Sequence, residues 1–503
     1  MDDLLLGVDI GTMSSKAVLA RPDGTVVATA TRQHTLSLPR PSWAEHDAEA
    51  VWWNDVRSLI AEMARVGGRG IRAVCPSGIG ATFLPANAAG MPLRPAILYG
   101  IDTRAEPQIR FLNRQIGAER ILARCGSPLT SQAVGPKILW VRRQEPDVWA
   151  RTRRWFMANS FVVHRLTGAY VLDHVSASQS PPLYDLSRHD WIPEWVREVC
   201  PELELPRLLW PGDVAGTVTP EAARATGLPA GIPVAAGTID AWAEATSVGV
   251  RVPGDAMVMY GTTMFVVEVV DRPLIDRRMW ASIGVFPGTL NLAAGMATSG
   301  ALTGWVRNLA GGVPFETLLA EAAESGPGAN GLVVLPYFAG ERTPLFDPDA
   351  RGVIAGLTLR HGRGDLYRAM LEGTAFALRH NLEVMRAIGG GGRRLIAVGG
   401  GTRGDLWTQI VSDVIGRPQE VPRQTIGAAY GDALLAGHAS GLVSRESTWT
   451  TTDHVVTPRE EVRRLYDDLY DRYRALGRTT RRTQHRLAAL QRRAKRSREE
   501  AHR

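Results

Sequence analysis

Two short segments of this chain carry residue types suited to holding phosphate. The first runs Leu4-Leu5-Leu6-Gly7-Val8-Asp9-Ile10-Gly11-Thr12 and continues through Ser14-Ser15-Lys16-Ala17-Val18-Leu19. The second runs Met257-Val258-Met259-Tyr260-Gly261-Thr262-Thr263 and continues through Phe265–Val270. Each is an apolar strand entering a Gly-Thr turn, from which a second apolar strand leaves. Such a turn offers backbone N–H groups and a hydroxyl with no bulky side chain in the way, which suits phosphate oxygens. Two of them, about 250 residues apart, point to a nucleotide held between two related lobes. Asp9, at a strand end just before the first turn, could bind Mg²⁺ directly or through water. Its competing role is to cap the turn. Lys16 stands beside that turn in a chain with only three lysines, the others being Lys137 and Lys495. It could reach a phosphate or simply be solvated.

Three further groups invite a chemical reading. Gly399-Gly400-Gly401 follows the apolar strand Leu395–Val398 and precedes Trp407, Ile410, Val411 and Val414 at helical spacing. Glycines there could let a backbone lie against a nucleobase or ribose, whereas the run Gly389–Gly392 reads as a flexible turn. Asp240 follows the strand Val234-Ala235-Ala236 and Gly237-Thr238-Ile239. It is a candidate general base, since phosphoryl transfer to an alcohol needs a group to accept the hydroxyl proton. Capping the helix expected over 241–248 is the rival role. Asp102 and Arg104 could hydrogen-bond a polyol or form an ion pair at a turn. His164, His361 and His380 show no metal-ligand pairing.

These residues need elements to hold them. The N-terminal hairpin continues through Pro22-Asp23-Gly24 into Val26-Val27-Ala28, and Asp-Gly between apolar strands is a hairpin signal. That antiparallel meander argues against a dinucleotide-binding βαβ unit, which needs a helix after its first glycine turn. A helix is predicted over 59–66 and a strand over 71–74, the latter ending in Ser77-Gly78-Ile79-Gly80. Residues 105–200 read as helical and irregular. Val252-Pro253-Gly254 reads as a boundary between lobes.

Composition bounds the rest. With 45% apolar and 22% charged residues in 503, the chain is ordinary globular protein with ample core. Apolar runs fall far short of the roughly 20 residues that a membrane span needs. The start, Asp2-Asp3 followed at once by a strand, does not read as a signal peptide. Cys75, Cys125 and Cys200 lack metal-ligand spacing and fit a reduced, cytoplasmic setting. The net charge of +7 is local: residues 477–503 hold ten Arg/Lys and two Glu, leaving the remainder close to neutral. That basic tail is expected to be a frayed helix or disordered, and is read as a solvated extension before a nucleic-acid site.

Taken together, residues 4–445 resemble the FGGY carbohydrate kinases. The segment Gly340-Glu341-Arg342-Thr343-Pro344, Asp347-Pro348, Ala350-Arg351-Gly352, Gly356-Leu357 and Asp365–Gly373 resembles the family's second signature, most closely in the xylulokinase branch. Gly135-Pro136-Lys137-Ile138-Leu139-Trp140 is similar to the first signature, with Val134 where a small polar residue or proline is usual. The resemblance implies an α/β, actin-like ATPase (ribonuclease H-like) fold, with two related lobes and ATP and sugar in the cleft between them. It assigns Asp9, Gly11 and Thr12 to the first phosphate motif, and Gly261, Thr262 and Thr263 to the second. Gly399, Gly400 and Gly401 become the adenosine motif and Asp240 the catalytic base. Asp102 and Arg104 resemble the sugar-binding pair. Gly78-Ile79 stands where xylulokinases usually carry Met-His, and Ala241-Trp242 where Asn usually follows the base. Losing two polar contacts could shift specificity, and Trp242 could stack on a sugar or close the pocket.

The expectation is therefore a kinase using ATP and Mg²⁺ on a primary hydroxyl of a small sugar, foremost a pentulose such as xylulose. Its alternatives are another ketose, a polyol or a signalling molecule, or a non-catalytic actin-like nucleotide-binding regulator. Expected domains are 1–252, with the sugar site, first phosphate motif and base; 253–445, with the second phosphate and adenosine motifs; a helical segment over 446–477; and the tail 478–503. A homodimer is one option for its assembly, and no membrane partner is implied.

Overall fold

The structure, a computed structural model, describes residues 2–501, with side chains as far as Ala494. The chain divides into two compact units, the first comprising residues 1–253, 269–292 and 424–450, and the second 254–268, 293–423 and 451–503.

In the first unit, β1 (Leu4–Ile10), β2 (Ser14–Ala20) and β3 (Val26–Gln33) form the expected meander, α1 (Asn54–Gly67) follows, and β4 (Ile71–Gly78) returns beside β1. Three later strands, β5 (Val214–Thr217), β6 (Pro233–Ala235) and β7 (Thr238–Ile239), complete a sheet of order β5-β6-β4-β1-β2-β3, with β7 also on β4. Every residue of β1 is buried, as expected of a central strand covered on both faces. Edge strand β3 instead alternates half-buried and exposed. α2 (Asp240–Ser247) starts directly from β7.

The second unit repeats this pairing logic. β8 (Asp255–Tyr260) and β9 (Met264–Val270) form an antiparallel hairpin. α3 (Gly300–Leu309) and the long α4 (Arg363–Ala387) precede β10 (Arg394–Val398), which lies parallel to β8. α5 (Leu406–Ile415) leads to β11 (Gln419–Pro422), parallel to β10. Each unit therefore holds an antiparallel hairpin, two parallel strands beyond it, and an antiparallel outer strand, β5 on β6 or β12 (Thr452–Val456) on β11. The two lobes are related in topology as well as in their turns.

Two features of the chain's organisation are set by packing. The sequence boundary near 253 is where the first long segment of the first unit ends, yet residues 424–450 return to that unit. The cause is α6 (Ala428–Ser440), which packs on β1 and α2 through glycines. A Cβ on Gly7 would stand 1.9 Å from the Ala429 carbonyl oxygen, and one on Gly431 the same distance from that of Ala243. Only glycine lets these backbones touch.

The second feature is the tail. Residues 478–501 continue α7 (Arg463–Ala501) as helix; 502 and 503 lie outside the described residues. Ala488 is fully buried, Gln484 accepts from the Arg351 N–H, and Arg481 and His485 hold the Asp347 carboxylate. Tertiary contacts with the 347–351 segment thus order a helix whose composition alone suggested a frayed helix or disorder. Among the described residues, no helix is long and apolar enough to cross a membrane, and all three cysteines are free and buried.

Candidate active site

The first unit gathers carboxylates at the carboxyl ends of its central strands. Asp9 ends β1 opposite Lys16 of β2 on one side and Ser77 of β4 on the other. β7 pairs with Ser77 and Gly78 and delivers Asp240 to the first position of α2. One turn later, Glu244 lies on the same helix face as Asp240. The Asp240 side chain does accept a hydrogen bond from the adjacent Ala241 N–H, at 2.7 Å. Burial and the charge on Asp9 nonetheless push its carboxyl well above the usual range. The same causes raise Glu244 to about 7, and burial raises Asp9 to about 6. A carboxyl that prefers its proton is a base poised to take one.

The mutual repulsion of these groups also answers which ion would suit them. Lys16 supplies one positive charge, and its exposed ammonium stands across from Asp9. A divalent cation near Asp9 would relieve the rest. Among the described residues no group of three or more His, Cys, Asp or Glu is close enough to cage a metal. Asp9 could serve as the single carboxylate of a Mg²⁺ site completed by waters and substrate phosphates.

Around this centre the first turn is tightly tied. The Gly11 N–H donates to the Ser14 carbonyl, and the Thr12 hydroxyl meets that of Tyr99 at 3.0 Å. The His34 ring bridges Asp55 and the Gly11 carbonyl from beneath. β7 is anchored by the Thr238 hydroxyl, which donates to Asp173. Asp173 is buried, also accepts from Asn159 and the Ser176 N–H, and is raised to about 6 by burial.

The second unit contains the other turn. The N–H groups of Ser299 and Ala301 donate to the Thr262 carbonyl, and that of Gly300 to the Gly261 carbonyl. The turn is thereby seated on the N-terminus of α3, leaving the Thr262 and Thr263 side chains unbonded among the described residues. A Cβ on Gly300 would meet the Gly261 oxygen at 2.6 Å. The signature segment steadies the approach to α3. Glu341 accepts from the Ala297 N–H, and Thr343 bonds both the N–H and the carbonyl of Gly295.

The three adenosine-motif glycines prove unequal. A Cβ on Gly399 would meet the Tyr260 carbonyl oxygen at 2.7 Å, and one on Gly401 the Trp407 ring at 2.7 Å. Those two glycines serve packing. At Gly400 nothing lies within 4 Å, so a ligand could approach its backbone closely. Gly391 and Gly392 both donate to the Glu268 carboxylate, so that run is a pinned turn, not a flexible one.

Gly78, Ile79, Asp102, Arg104 and Trp242, assigned to the sugar, are all buried. Asp102 and Arg104 are buried with nearly all their bonding turned inward. Asp102 accepts from the Ala44 N–H and from the Arg104 side chain and N–H, while Arg104 also donates to Glu45. The Arg104 guanidinium lies 3.8 Å from the centre of the Trp43 ring. These bonds form a buried network that ties residues 43–45 to the pair, since buried opposite charges pair with each other. Gly78 and Ile79 are buried too. A Cβ on Gly78 would lie 2.7 Å from that of Ala158, and the Ile79 N–H donates to Ile10. Trp242 is buried and its indole N–H donates to Asn291. Glu45, Asp173, Ser77 and Asp432 escaped the sequence reading. For Asp432 a signal existed, as it is the lone charge in the apolar stretch Ala428–Gly437.

Comparison with known proteins agrees with this arrangement. Residues 4–247 match the N-terminal domain, and residues 256–440 the C-terminal domain, of the FGGY family of carbohydrate kinases. The chain belongs to this family. It is 31% identical over 442 residues to a xylulose kinase of Escherichia coli, spanning 86% of this chain and 89% of that one. It is 30% identical to a glycerol kinase of Nocardia farcinica, spanning 88% and 92%. The crystal structure of a xylulose kinase from Rhodospirillum rubrum superposes with a TM-score of 0.88 at 33% identity, covering 96% of this chain and all of that one. The family kinase has the expected actin-like α/β fold.

Proposed function

We propose that this FGGY kinase transfers the γ-phosphate of MgATP to a primary hydroxyl of a small sugar, foremost a pentulose such as xylulose. The observation that carries the reading is the place of Asp240, a carboxylate that opens α2 where β7 pairs with Ser77, the cross-strand neighbour of Asp9. Asp240 takes the acceptor's hydroxyl proton as the oxygen attacks the γ-phosphorus, and the bond to the ADP oxygen breaks in line. Lys16, the Gly11-Thr12 turn and the Gly261-Thr262-Thr263 turn hold phosphate oxygens, the free Thr hydroxyls serving as donors. Gly399, Gly400 and Gly401 hold the adenosine, with Gly400 in closest approach. Mg²⁺, held near Asp9, would neutralise charge on the transferring group.

The acceptor belongs to the first unit with Asp240. Trp242, Gly78 and Ile79, all buried, would offer it a largely apolar surface. Asp102 and Arg104 would hydrogen-bond the acceptor's hydroxyls, held in place by their bonds to Ala44 and Glu45. A xylulose kinase in each of two comparisons supports a pentulose. The glycerol kinase relative supports a polyol as the second reading. A cytoplasmic setting fits three free, buried thiols.

The test is ADP release from MgATP across ketopentoses, ketohexoses and polyols, with Asp240→Asn in parallel. Turnover with one acceptor is expected, reduced about 10²–10⁴-fold in the variant. ATP binding without turnover on any acceptor would replace the kinase reading with that of a nucleotide-binding regulator.

A further inference from the structure

Behind Asp9, the core of the first unit contains a second carboxylate that the reaction above does not use. Asp432 of α6 is fully buried. Its Oδ2 lies 2.5 Å from the Ser77 hydroxyl oxygen, and its Oδ1 is 4.0 Å from the Cys75 sulfur, a thiol donor. The same Ser77 oxygen lies 3.1 Å from Oδ1 of Asp9. Ser77 is itself fully buried. Among the described residues Asp432 has no basic partner.

The hydrogen count decides what this chain of contacts can be. A serine hydroxyl carries one proton and can donate once. With two ionised carboxylates around it, one contact would set an oxygen lone pair against another, in a sealed site where repulsion is strong. A second proton must therefore reside on one carboxyl. Asp9 is the less suitable host, since the Lys16 ammonium opposite it favours its charged form. Asp432 has neither solvent nor a cation to stabilise charge. Burial and the charge on Asp9 push the Asp432 carboxyl well above the usual range, consistent with that choice.

We propose that Asp432 is a neutral carboxylic acid that donates to Ser77, so that Ser77 donates to Asp9 and fixes the rotamer of the carboxylate facing the metal. Asp432 is thus a positioning residue acting through Ser77; it touches neither substrate nor metal. The chain runs in one direction, Asp432 to Ser77 to Asp9, because only Asp432 begins with a proton it cannot lose cheaply. The same contact couples α6 to the strand ends at which Asp9 and Asp240 sit. Its relevance to catalysis rests on the reading of Asp9 given above. The proton itself does not depend on that reading.

Three variants and two readouts test the proposal on the full chain. Infrared difference spectra of the unliganded protein at neutral pH, wild type minus Asp432→Asn, should contain a protonated-carboxyl C=O stretch. Its absence overturns the assignment of the proton, whatever the enzyme's substrate. The Mg²⁺ concentration for half-maximal turnover should rise about 10–100-fold in Ser77→Ala and in Asp432→Leu, the range expected for losing a group that orients a metal ligand. Asp432→Asn, neutral and still able to donate, should restore that requirement. An Asn variant as impaired as the Leu variant would mean that an ionised carboxylate is needed and would refute the proposal. An unchanged Mg²⁺ requirement in Ser77→Ala would refute the positioning role. If Asp432→Leu fails to fold, Ser77→Ala and the infrared band still decide. Absence of turnover in wild type with any acceptor would instead sink the kinase reading, leaving the infrared test intact.

Discussion

Replacing Gly431 by alanine tests whether α6 sets the position of the catalytic base. The added Cβ would lie 1.9 Å from the Ala243 carbonyl oxygen, 2.9 Å from its carbon and 3.1 Å from the Ser247 N, all backbone atoms of α2. Ordinary contact begins near 3.4 Å, so α2 must retreat by about 1.5 Å. No rotamer change relieves this, because no side chain of α2 is at fault. Overpacking of this kind costs about 1–3 kcal/mol, and contact with rigid backbone favours the upper end. Asp240 opens the displaced helix, and a misplacement of about 1 Å in a reacting group can cost about 10²-fold in rate. Thermal unfolding and steady-state turnover of Gly431→Ala, with nucleotide affinity measured separately, form the assay. A lowered Tm, a kcat down by about two orders of magnitude and little change in nucleotide Kd are expected. Wild-type Tm and kcat would refute the reasoning, since the clash would then have been absorbed without moving α2.

Gly400→Ala should leave Tm unchanged, its Cβ entering open space, while weakening nucleotide binding about tenfold, or about 1.4 kcal/mol. Gly401→Ala should lower Tm instead, because its Cβ would strike Trp407 and Tyr260; calorimetry with and without ATP separates the two. Asp173 gives a pH test. Its folded value of about 6 lies above the roughly 3.9 of an unfolded aspartate. The folded state therefore binds the proton more tightly, and this stabilisation is complete below about pH 4 and lost as pH rises through about 6. Asp173→Asn should remove that component, so denaturation midpoints of wild type relative to variant should fall between about pH 4 and 6. Parallel curves would show that the Asp173 proton is not linked to folding.

How much of this was legible in the residues follows from how local each signal is. Hairpins, Gly-Thr turns and the strand-to-helix step at Asp240 depend on neighbours a few positions away, so apolar alternation and turn chemistry were enough to find them. The signature segment over 340–373 likewise identified the family from contiguous residues, and with it the fold. Other features depended on residues far apart in sequence. Gly7 and Gly431 are ordinary glycines until β1, α6 and α2 are stacked, and only then do they explain why residues 424–450 leave the second unit for the first. Asp102 and Arg104 read as a pair in the sequence, but their partners Glu45 and Trp43, more than 50 residues away, were not legible there. The Arg-rich segment beyond 477 lacked the apolar content of a stable helix on its own. Contacts with Asp347 and Arg351 ordered it. Sequence by itself determined which local pieces exist and what chemistry their residue types permit. Tertiary structure decided which polar groups still face outward to do it, because a buried charge or hydroxyl must bond to whatever the fold brings within reach.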